Sequence, residues 1–472
     1  MALSPRDALG VVQDVLTYGR KPEEGRLKEI DLAMRIAYAR GECPIELPQD
    51  ASEGLRELTR KSSTNFLPML LDAHVRVLKV NGYLSKSDPG KSSPWVWWQR
   101  NRMDARQTTP HRNALKYGFS YATVLPANWG LSGASMPDIQ TYSPRELSAV
   151  YNFRDDEWPA YALLTRAESA VLFDDEMLYF FGVEQPLKPW MVPAASTSYG
   201  MGEMVFLEAR PHGFHNTPVI RFRDRYVDEA SESHGVIEPL IHNQQRLDEM
   251  IAGMTITAKA SAHRQRAVLG WVPQSEDEEI RSHPGSVIYL KGDIDPETGK
   301  PQPVDIKDLS ETPLTSWDAA IRETKQDLFA RAAVPITAAG VDGVSNVSAE
   351  TLAALETEKA RADIEHKASL GESHEQLFRA CAFYDGNTIA AEDYASEARW
   401  EDFRPVSYTA VVDGISKLIP AGLPKEVAFS MLPGMTDQQL ERINEAVRAQ
   451  NAREALDRLT NAANRGAVQP TG

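Results

Sequence analysis

Residues 233–262 read SHGVIEPLIHNQQRLDEMIAGMTITAKASA, and their spacing predicts a long amphipathic helix. Its apolar stripe consists of Ile237, Ile241, Leu247, Met250, Ile251 and Met254. Ser231 or Ser233 can cap the helix, and Pro239 falls close to its first turn, where a missing N–H costs least. The predicted helix covers residues 235–262, and at 1.5 Å per residue these about 28 residues would span ~42 Å, which exceeds the ordinary helix of a globular protein. Such a helix needs a packing partner along its length.

A return helix over residues 314–333 is the predicted partner. Its apolar face consists of Trp317, Ile321, Thr324 and Leu328. The pair Val334-Pro335 ends this helix, because the residue before a proline disfavours helical geometry. The loop of residues 336–347, ITAAGVDGVSNV, follows, and its two glycines and single charge allow close approach to another surface. Ser348 then caps another long helix.

Between the helix of residues 235–262 and the return helix of residues 314–333, the pattern of residues 267–312 changes to short strands separated by Pro and Gly turns. The clearest strands are 267–272 and 287–290. The segment is acidic, with carboxylates at Glu276, Asp277, Glu278, Glu279, Asp293, Asp295, Glu297, Asp305, Asp308 and Glu311. Its basic residues are Arg281, Lys291, Lys300 and Lys307. Residues 293–299 fit a hairpin turn better than a calcium loop, because the turn glycine comes one position late and Val304 stands where a bidentate Glu belongs. An acidic strand module suits docking of a protein partner through electrostatic complementarity.

The composition bounds the class of protein. The 472 residues exceed what one hydrophobic core usually organises, so we expect two or more compact regions. No run approaches the roughly 20 apolar residues of a membrane span, and Arg6, Asp7 and Asp14 interrupt any signal-peptide hydrophobic region, so we expect neither membrane insertion nor secretion. Cys43 and Cys381 lie far apart without metal-ligand spacing, which indicates a reducing compartment. The net charge of -16 argues against tight sequence-independent binding of nucleic acid, although a like-charged surface lets a polyanion pass without sticking.

The rest of the chain is predicted to be a mixed α+β body followed by helices, so the fold class is α+β and mainly helical. Helices are expected at 24–41, 69–80, 93–105, 407–418, 424–431 and 436–463. Strands are expected at 117–125, within 160–179, at 219–222 and within 394–403. The last residues, 464–472, are predicted to be disordered.

One predicted helix combines tryptophans with arginines. Trp95, Trp97 and Trp98, beside Arg100 and Arg102, are able to stack on nucleic-acid bases. The simpler interpretation is that the tryptophans pack in a core while the arginines face solvent. This simpler interpretation is favoured.

Two groups of side chains suggest a metal site, and with it a metal-dependent hydrolase. They are His212, His215 and Asp224, and Glu365, His366, Glu372, His374 and Glu375. The first group lacks a third or fourth converging ligand at a recognisable spacing, and the second lacks paired Glu-x-x-His motifs. A turn and a solvated helix face explain them more simply. The chain also lacks the phosphate-loop, nucleophile-elbow and H-E-x-x-H motifs.

A series of local patterns follows the chain in a characteristic order and spacing. They are Tyr38-Ala-Arg-Gly41, Asn65-Phe-Leu-Pro68, VLKVNGYL at 77–84, Trp98-x-x-Asn101-x-x-Asp104, Ala114-Leu-x-x-Gly118 with Tyr121, His212-Gly-Phe with Pro218-Val-Ile-Arg-Phe222, Ser231-Glu-Ser, Gln265-Arg266-x-Val268-x-Gly270, Val334-Pro335 with Ser348-Ala-Glu350, and Gly422-Leu-Pro424 with Leu432-Pro-Gly434-Met-Thr436. Through these patterns, roughly residues 32–459 resemble the portal proteins of tailed bacteriophages, the head-to-tail connectors, of the siphophage type.

The resemblance implies a ring of about twelve subunits at one capsid vertex, with wing, stem, clip and crown regions around an axial channel. The implied segments are an N-terminal segment (1–30), the wing (31–230 and 348–403), two stem helices (231–266 and 313–335), the clip (267–312), the tunnel loop (336–347), the crown (404–463) and a tail (464–472).

The resemblance also implies three sets of site residues. The tunnel-loop set is Thr337, Gly340, Val341, Asp342, Gly343, Val344 and Asn346. The basic set, which would face DNA in the channel, is Lys259, Arg264, Arg266, Arg322, Lys325 and Arg331. The clip-docking set is Glu276, Asp277, Glu278, Glu279, Asp293 and Asp295.

The implied partners are other copies of the chain, double-stranded DNA, the terminase large subunit, the head-tail adaptor, and the major capsid and scaffolding proteins. The implied location is the capsid vertex of the virion, after assembly in the host cytoplasm. The resemblance implies a conduit that is not an enzyme and needs no cofactor, with ATP hydrolysis supplied by a separate motor, and the missing catalytic motifs are consistent with this. Two alternatives stay open, a metal-dependent hydrolase and a head-tail adaptor without a DNA channel.

Overall fold

The computed structural model describes residues 3–34, 53–62, 64–85, 93–127, 136–153, 156–166, 169–183, 204–226, 234–262, 266–269, 305–308, 314–335, 349–401, 408–430, 432 and 437–466. They form a mixed fold with more helix than strand, as predicted. The chain divides into two compact units, of which the first contains Met1–Ile30, Leu71–Glu238 and Glu350–Gly472 and the second contains Asp31–Leu70 and Pro239–Ala349. The expectation of more than one compact region is confirmed. Among the described residues, no helix is long and apolar enough to cross a membrane.

The helices are α1 (Pro5–Asp14), α2 (Lys21–Met34), α3 (Glu53–Ser62), α4 (Leu67–Val75), α5 (Ser93–Arg100), α6 (Met103–Arg106), α7 (Thr108–Tyr117), α8 (Ile241–Ala262), α9 (Thr315–Arg331), α10 (Ala349–Tyr384), α11 (Thr388–Ala391), α12 (Tyr408–Leu418), α13 (Lys425–Ser430) and α14 (Asp437–Gly466). The strands are β1 (Val80–Leu84), β2 (Phe119–Pro126), β3 (Pro137–Tyr142), β4 (Leu147–Val150), β5 (Tyr161–Thr165), β6 (Ser169–Phe173), β7 (Met177–Val183), β8 (Met204–Pro211), β9 (Val219–Arg223), β10 (Arg266–Leu269), β11 (Asp305–Asp308) and β12 (Glu397–Trp400).

In the first unit, β4 to β8 form an antiparallel five-stranded sheet in sequence order. Successive side chains of a strand point to opposite faces, so β5 places Ala162 and Leu164 on one face and Leu163 on the other. Helix α1 packs against the face of Leu163 through Ala8 and Val12. Residues of β2 and β9 pack against the opposite face. Both faces of this sheet therefore carry a buried core.

A three-stranded antiparallel sheet in the order β3-β2-β9 lies beside α7, which leads directly into β2. Gly118 ends α7 with φ 94° and donates its N–H to Ala114 O at 2.7 Å, a left-handed cap that glycine adopts without steric cost. Gly235 lies against the end of α7 and has a φ of +70°. A Cβ at this position would lie 2.6 Å from Leu115 O. Only glycine fits this close approach.

The predicted core helix of residues 69–80 is wrong in its second half. Helix α4 ends at Val75, and Val80 begins β1, which pairs antiparallel with β12. The Gln107 side chain accepts a hydrogen bond from Val80 N at 2.7 Å and donates one to Val80 O at 3.2 Å. These bonds satisfy the backbone N–H and C=O of Val80, which is fully buried. Its β-branched side chain also favours a strand.

The long helix predicted from residue 235 begins later, at Ile241. A short 3-10 helix, Glu238–Leu240, precedes it, and Val236 N donates to Leu115 O at 2.7 Å. This bond fixes the chain beside the end of α7, and Pro239 lies in the 3-10 helix directly before α8, close to its first turn. The caps predicted at Ser231 and Ser233 lie outside the described residues.

The helix predicted over residues 93–105 is two helices, α5 and α6, interrupted at Arg102, which has a left-handed φ of 56°. Trp95 and Trp98 are buried and stack with ring centroids 5.4 Å apart, whereas Arg100 and Arg102 are exposed. The core interpretation of these tryptophans is confirmed.

Most other predicted elements are present with shifted ends. Helix α2 begins at Lys21, and residues 35–41 lie outside the described part of the chain. Helices α12, α13 and α14 correspond to the three predicted C-terminal helices. The prediction of a disordered tail is wrong for residues 464–466, which continue α14 after the strong helix formers Ala462 and Ala463. Residues 467–472 lie outside the described residues.

Candidate functional site

Helices α8 and α9 pack against each other in opposite directions within the second unit. Arg246, near the start of α8, donates from Nη2 to Asp327 Oδ2 near the end of α9 at 3.2 Å. Farther along α8, Gly253 lies against Trp317 near the start of α9. The predicted partnership of the two helices is confirmed.

Close packing of this pair depends on a residue without a side chain. A Cβ at Gly253 would lie 2.8 Å from Cη2 of Trp317, so glycine lets the indole lie directly on α8. One turn away, Thr324 Oγ1 donates to the sulfur of Met250 at 3.2 Å. Leu328 is fully buried at the next step along α9. The apolar face predicted for α9 is therefore the face that contacts α8.

Two buried polar side chains of α8 fix the segment that precedes α4. Gln244 donates from Nε2 to Thr64 O at 2.9 Å and accepts from Phe66 N at 3.1 Å. Asp248 Oδ1 accepts from Thr64 N at 3.1 Å. These bonds satisfy backbone groups that lack helix partners, and they attach residues 64–66 to α8.

Three residues of the basic set have exposed side chains. Lys259 lies near the end of α8, and Arg331 lies in the last turn of α9, where a cation favours the helix dipole. Arg322 donates from Nη2 to Asp318 Oδ2 at 3.2 Å on the same helix. Arg264 lies outside the described residues, and Arg266 is described only by its backbone in β10.

Lys325, also of the basic set, has a packing role that the sequence did not predict. Its Nζ lies 4.7 Å from the ring centroid of Phe66 and 6.0 Å from that of Phe329. Burial lowers the pKa of Lys325. A cation on aromatic faces is attracted by the ring quadrupoles, so this lysine helps to hold Phe66 against α9.

The strands between α8 and α9 are described only at the ends of the acidic segment. Strands β10 and β11 pair antiparallel, with Arg266 opposite Asp308 and Leu269 opposite Asp305. The strand predicted at 267–272 is confirmed over 267–269. The clip-docking set and the tunnel-loop set lie outside the described residues.

The histidines of the suggested metal sites have other partners. His212 Nε2 donates to Asp174 O at 3.1 Å, and its Nδ1 accepts from Phe214 N at 3.1 Å. His366 Nδ1 donates to Asp224 O at 3.0 Å. No cluster of three or more His, Cys, Asp and Glu side chains suited to a metal ion occurs in the part of the chain that the structure describes. The structure thus offers no geometric support there for a metal-dependent hydrolase.

His111 and His374 form a fully buried pair that sequence reasoning missed, with Nε2 atoms 2.7 Å apart. His111 Nδ1 lies 3.1 Å from Leu78 O, and a carbonyl only accepts, so Nδ1 carries the proton. His111 Nε2 therefore accepts from His374 Nε2–H, and both rings are neutral. Burial lowers the pKa of His111 to about 4 and lowers the pKa of His374 well below its usual value. The signal in the sequence is the four-residue spacing of His374 from buried Leu370 and Phe378 on α10.

A comparison with protein-family models agrees with the sequence resemblance. The family model described as "Phage portal protein, SPP1 Gp6-like" matches residues 23–453. None of the curated proteins matches significantly. A chain in the neck of a native GTA particle computed with C12 symmetry is similar at 12% identity and a TM-score of 0.41, covering 85% of this chain and 98% of that chain. A chain in the virion of a native gene transfer agent particle is similar at 13% identity and a TM-score of 0.40, covering 86% of this chain and 99% of that chain. Since the family model spans most of its length, the chain belongs to the SPP1 Gp6-like family of phage portal proteins.

Proposed function

We propose that copies of the chain assemble into a ring at one vertex of the capsid, and that double-stranded DNA is packaged and later ejected through the ring's axial channel. The observation that carries the proposal is the family match over residues 23–453. The antiparallel pair α8 and α9 supports it, because two long packed helices can line a channel without requiring a catalytic site.

In this proposal the segments keep the roles that the resemblance implies. Helices α8 and α9 are the stem, and β10 and β11 are the base of the acidic clip. Residues 336–347 are the tunnel loop. The sheets of the first unit and α10 belong to the wing, and α12, α13 and α14 belong to the crown.

The charges on the stem suit passage of DNA rather than tight binding. Lys259, Arg322 and Arg331 are exposed and are candidates to face the DNA. Acidic side chains accompany them, since Asp318 pairs with Arg322 and Asp327 pairs with Arg246. Tight, salt-dependent binding of DNA comes from Lys and Arg side chains that neutralise its phosphates. Because acidic side chains offset the basic ones on these helices, we expect the contact with DNA to be loose.

The proposed ring is a non-enzymatic conduit. The terminase large subunit would dock on the acidic clip and supply ATP hydrolysis during packaging, and the head-tail adaptor would later occupy the same end. Major capsid and scaffolding proteins would surround the ring during assembly in the host cytoplasm. Acidic docking surfaces of this kind select basic partners and speed their association.

A packaging assay tests the proposal. Particles are assembled with the wild-type chain, without it, and with Arg322→Glu combined with Arg331→Glu. We expect DNA-filled particles only when the chain is present, and reduced filling with the double variant, because the exchange removes two cations that balance the acidic side chains of the proposed stem and adds two acids there. DNA-filled particles formed without the chain contradict the proposal.

A further inference from the structure

Two stretches of the first unit, residues 73–84 and α7, contain basic side chains but no Asp or Glu. Their Lys and Arg residues are Arg76, Lys79, Arg112 and Lys116. The two stretches lie side by side, since His111 in α7 donates from Nδ1 to Leu78 O at 3.1 Å. A chain with a net charge of -16 therefore has a local excess of positive charge at this place.

Three of these four side chains, those of Arg76, Lys79 and Arg112, are exposed, and we name them the basic surface. Lys116 differs from them, because it is half-buried and donates from Nζ to the hydroxyl of Tyr117 at 2.9 Å. The basic surface thus consists of two guanidinium groups and one ammonium group that solvent reaches.

The carboxylates that pair with the basic surface are less exposed than its cations. Asp72 pairs with both arginines, through Oδ1 with Nη1 of Arg112 and through Oδ2 with Nη2 of Arg76, the latter at 3.6 Å. The side chain of Arg76 is 78% exposed and that of Asp72 is 28% exposed. Glu401 Oε2 lies 2.9 Å from Lys79 Nζ, and these side chains are 22% and 48% exposed. Two carboxylates therefore offset three cations, and the cations are the groups nearer to solvent.

Helix α10 adds a further cation beside this surface. Lys367 donates from Nζ to the backbone O of Glu401 at 3.1 Å, so it lies next to the pair of Lys79 and Glu401. Lys359, earlier in α10, is offset by Asp363, whose Oδ1 lies 2.8 Å from Nδ1 of His74. The positive charge of the basic surface is therefore not cancelled by the ion pair of α10.

We propose that the basic surface binds the phosphate backbone of double-stranded DNA, as a contact additional to the basic set of the proposed stem. Guanidinium and ammonium groups bind phosphates through charge-assisted hydrogen bonds and release counterions, without reading the base sequence. The basic surface belongs to the first unit, whereas the basic set belongs to the second. The choice of DNA as the polyanion rests on the proposed function, and the anionic chemistry of the ligand rests on the surface itself. The contact is weak and salt-dependent, because few cations contribute and the net charge of the chain opposes it.

The test is the fluorescence anisotropy of a labelled DNA duplex titrated with the full-length chain at several salt concentrations. Arg76→Gln with Lys79→Gln removes two cations of the basic surface. Arg361→Gln with Lys417→Gln is the matched control, because it removes two other exposed cations that each pair with one carboxylate. Arg76→Lys with Lys79→Arg keeps both charges at the basic surface and checks that the substitutions act through charge.

We expect the slope of log affinity against log salt to fall by about two in the basic-surface variant, since each phosphate contact contributes about 0.9 to it. The matched control and the charge-conserving variant should keep the wild-type slope. An unchanged slope in the basic-surface variant, or an equal loss in the matched control, would refute the contact. Wild-type chain that binds no DNA even at low salt would refute it as well.

A competitor separates DNA from an acidic protein as the ligand. Poly-glutamate that displaces the labelled duplex as effectively, at equal charge, as unlabelled duplex does would overturn the choice of DNA. The proposed ring is measured separately, by electron microscopy of the same wild-type and variant chains. Rings that form while the slope stays unchanged refute this contact alone, whereas a reduced slope without rings refutes the proposed function and leaves the contact in place.

Discussion

At the scale of single residues, a few small or polar side chains decide how the large apolar ones pack. Gly253 admits the indole of Trp317 onto α8. The neutral pair of His111 and His374 lies in an aromatic core, where Trp98 and Phe222 contact the ring of His374 and Trp400 contacts both rings. Each of these positions tolerates substitution poorly, for a different physical reason.

Gly253→Ala tests the close packing of α8 and α9. A Cβ at 2.8 Å from Trp317 forces the indole or the helix to move, so we expect the free energy of unfolding to fall by about 1–3 kcal/mol. Urea denaturation followed by tryptophan fluorescence measures the change. Gly10→Ala in α1 is the matched control, because no atom lies within 4 Å of its Cβ, and it should not destabilise the protein. Equal stability of Gly253→Ala and wild type would contradict the packing described.

The buried histidines predict a pH-dependent stability. The pKa of His111 is lowered in the fold to about 4, so the unfolded chain binds the proton first as pH falls below about 6.5. Stability is therefore fully present above that pH and decreases towards pH 4. Each such histidine raises the unfolding constant about tenfold per pH unit in this window.

Urea denaturation at a series of pH values measures this slope. Replacing both residues, His111→Phe with His374→Leu, should flatten the slope whatever its effect on stability at pH 7. His242→Gln, on the exposed side of α8, is the matched control for replacing a histidine. An unchanged slope in the double variant would show that the pair does not titrate on unfolding.

Single residues were predicted unevenly from the sequence. The tryptophans were assigned to a core because burial of large aromatics is common, and Trp95 and Trp98 are buried. Lys325 was assigned only by its charge, since the aromatic partner Phe66 is distant in sequence and no local pattern links them. His374 was assigned to a solvated face for the same reason, because its partner His111 lies on another helix.

At the scale of elements, the antiparallel pair of α8 and α9 organises the second unit. Its stability does not come from apolar contacts alone, since Gln244 and Asp248 bind the backbone of residues 64–66. Such buried polar contacts specify one position for a segment, because any shift leaves a backbone group unsatisfied.

Gln244→Ala tests this anchoring. The substitution removes two hydrogen bonds and leaves the backbone of Thr64 and Phe66 with unsatisfied polar groups, so we expect a loss of about 1–3 kcal/mol in the free energy of unfolding. Gln245→Ala is the control, because the neighbouring side chain is exposed. The midpoints of urea denaturation of the two variants are compared, and we expect the lower midpoint for Gln244→Ala. Equal midpoints would exclude an anchoring role.

Helices and strands with a clear hydrophobic periodicity were predicted from the sequence. Elements whose position depends on residues distant in sequence were not. Helix α9 and strands β2 and β9 lie close to their predicted ranges, because period and β-branched composition determine them locally. Strand β1 was not predicted, and its first residue, Val80, was assigned to a helix, since the pairing of this strand with β12 and with Gln107 is not visible in local sequence. The start of α8 was placed too early, because the turn at Gly235 depends on contact with α7.

At the scale of the whole molecule, the chain combines family membership over residues 23–453 with a net charge of -16. This net charge favours solubility, and it suits the weak contact with DNA that the proposed conduit requires. The order of local patterns was sufficient to identify the family. It was not sufficient to place the residues that would contact DNA, because a packed helix pair divides its basic side chains between solvent, ion pairs and aromatic rings.

Shortening the loop between Gly340 and Gly343 tests the proposed tunnel loop. We expect the rings to form normally while DNA packaging or retention is impaired, since the proposed loop contributes to the channel and not to the stem. Particle DNA content, measured beside ring formation by the same variant, checks both parts. Normal, genome-filled particles would count against the assignment.

In the proposed function, copies of this chain form a ring with an axial channel. Electron microscopy of the purified full-length chain, together with a mass measurement, tests it most directly. We expect closed rings with a central hole and a mass that is a whole multiple of the 52.4 kDa subunit. Particles without a closed ring, or rings without a hole, would contradict the account and favour an adaptor that lacks a DNA channel.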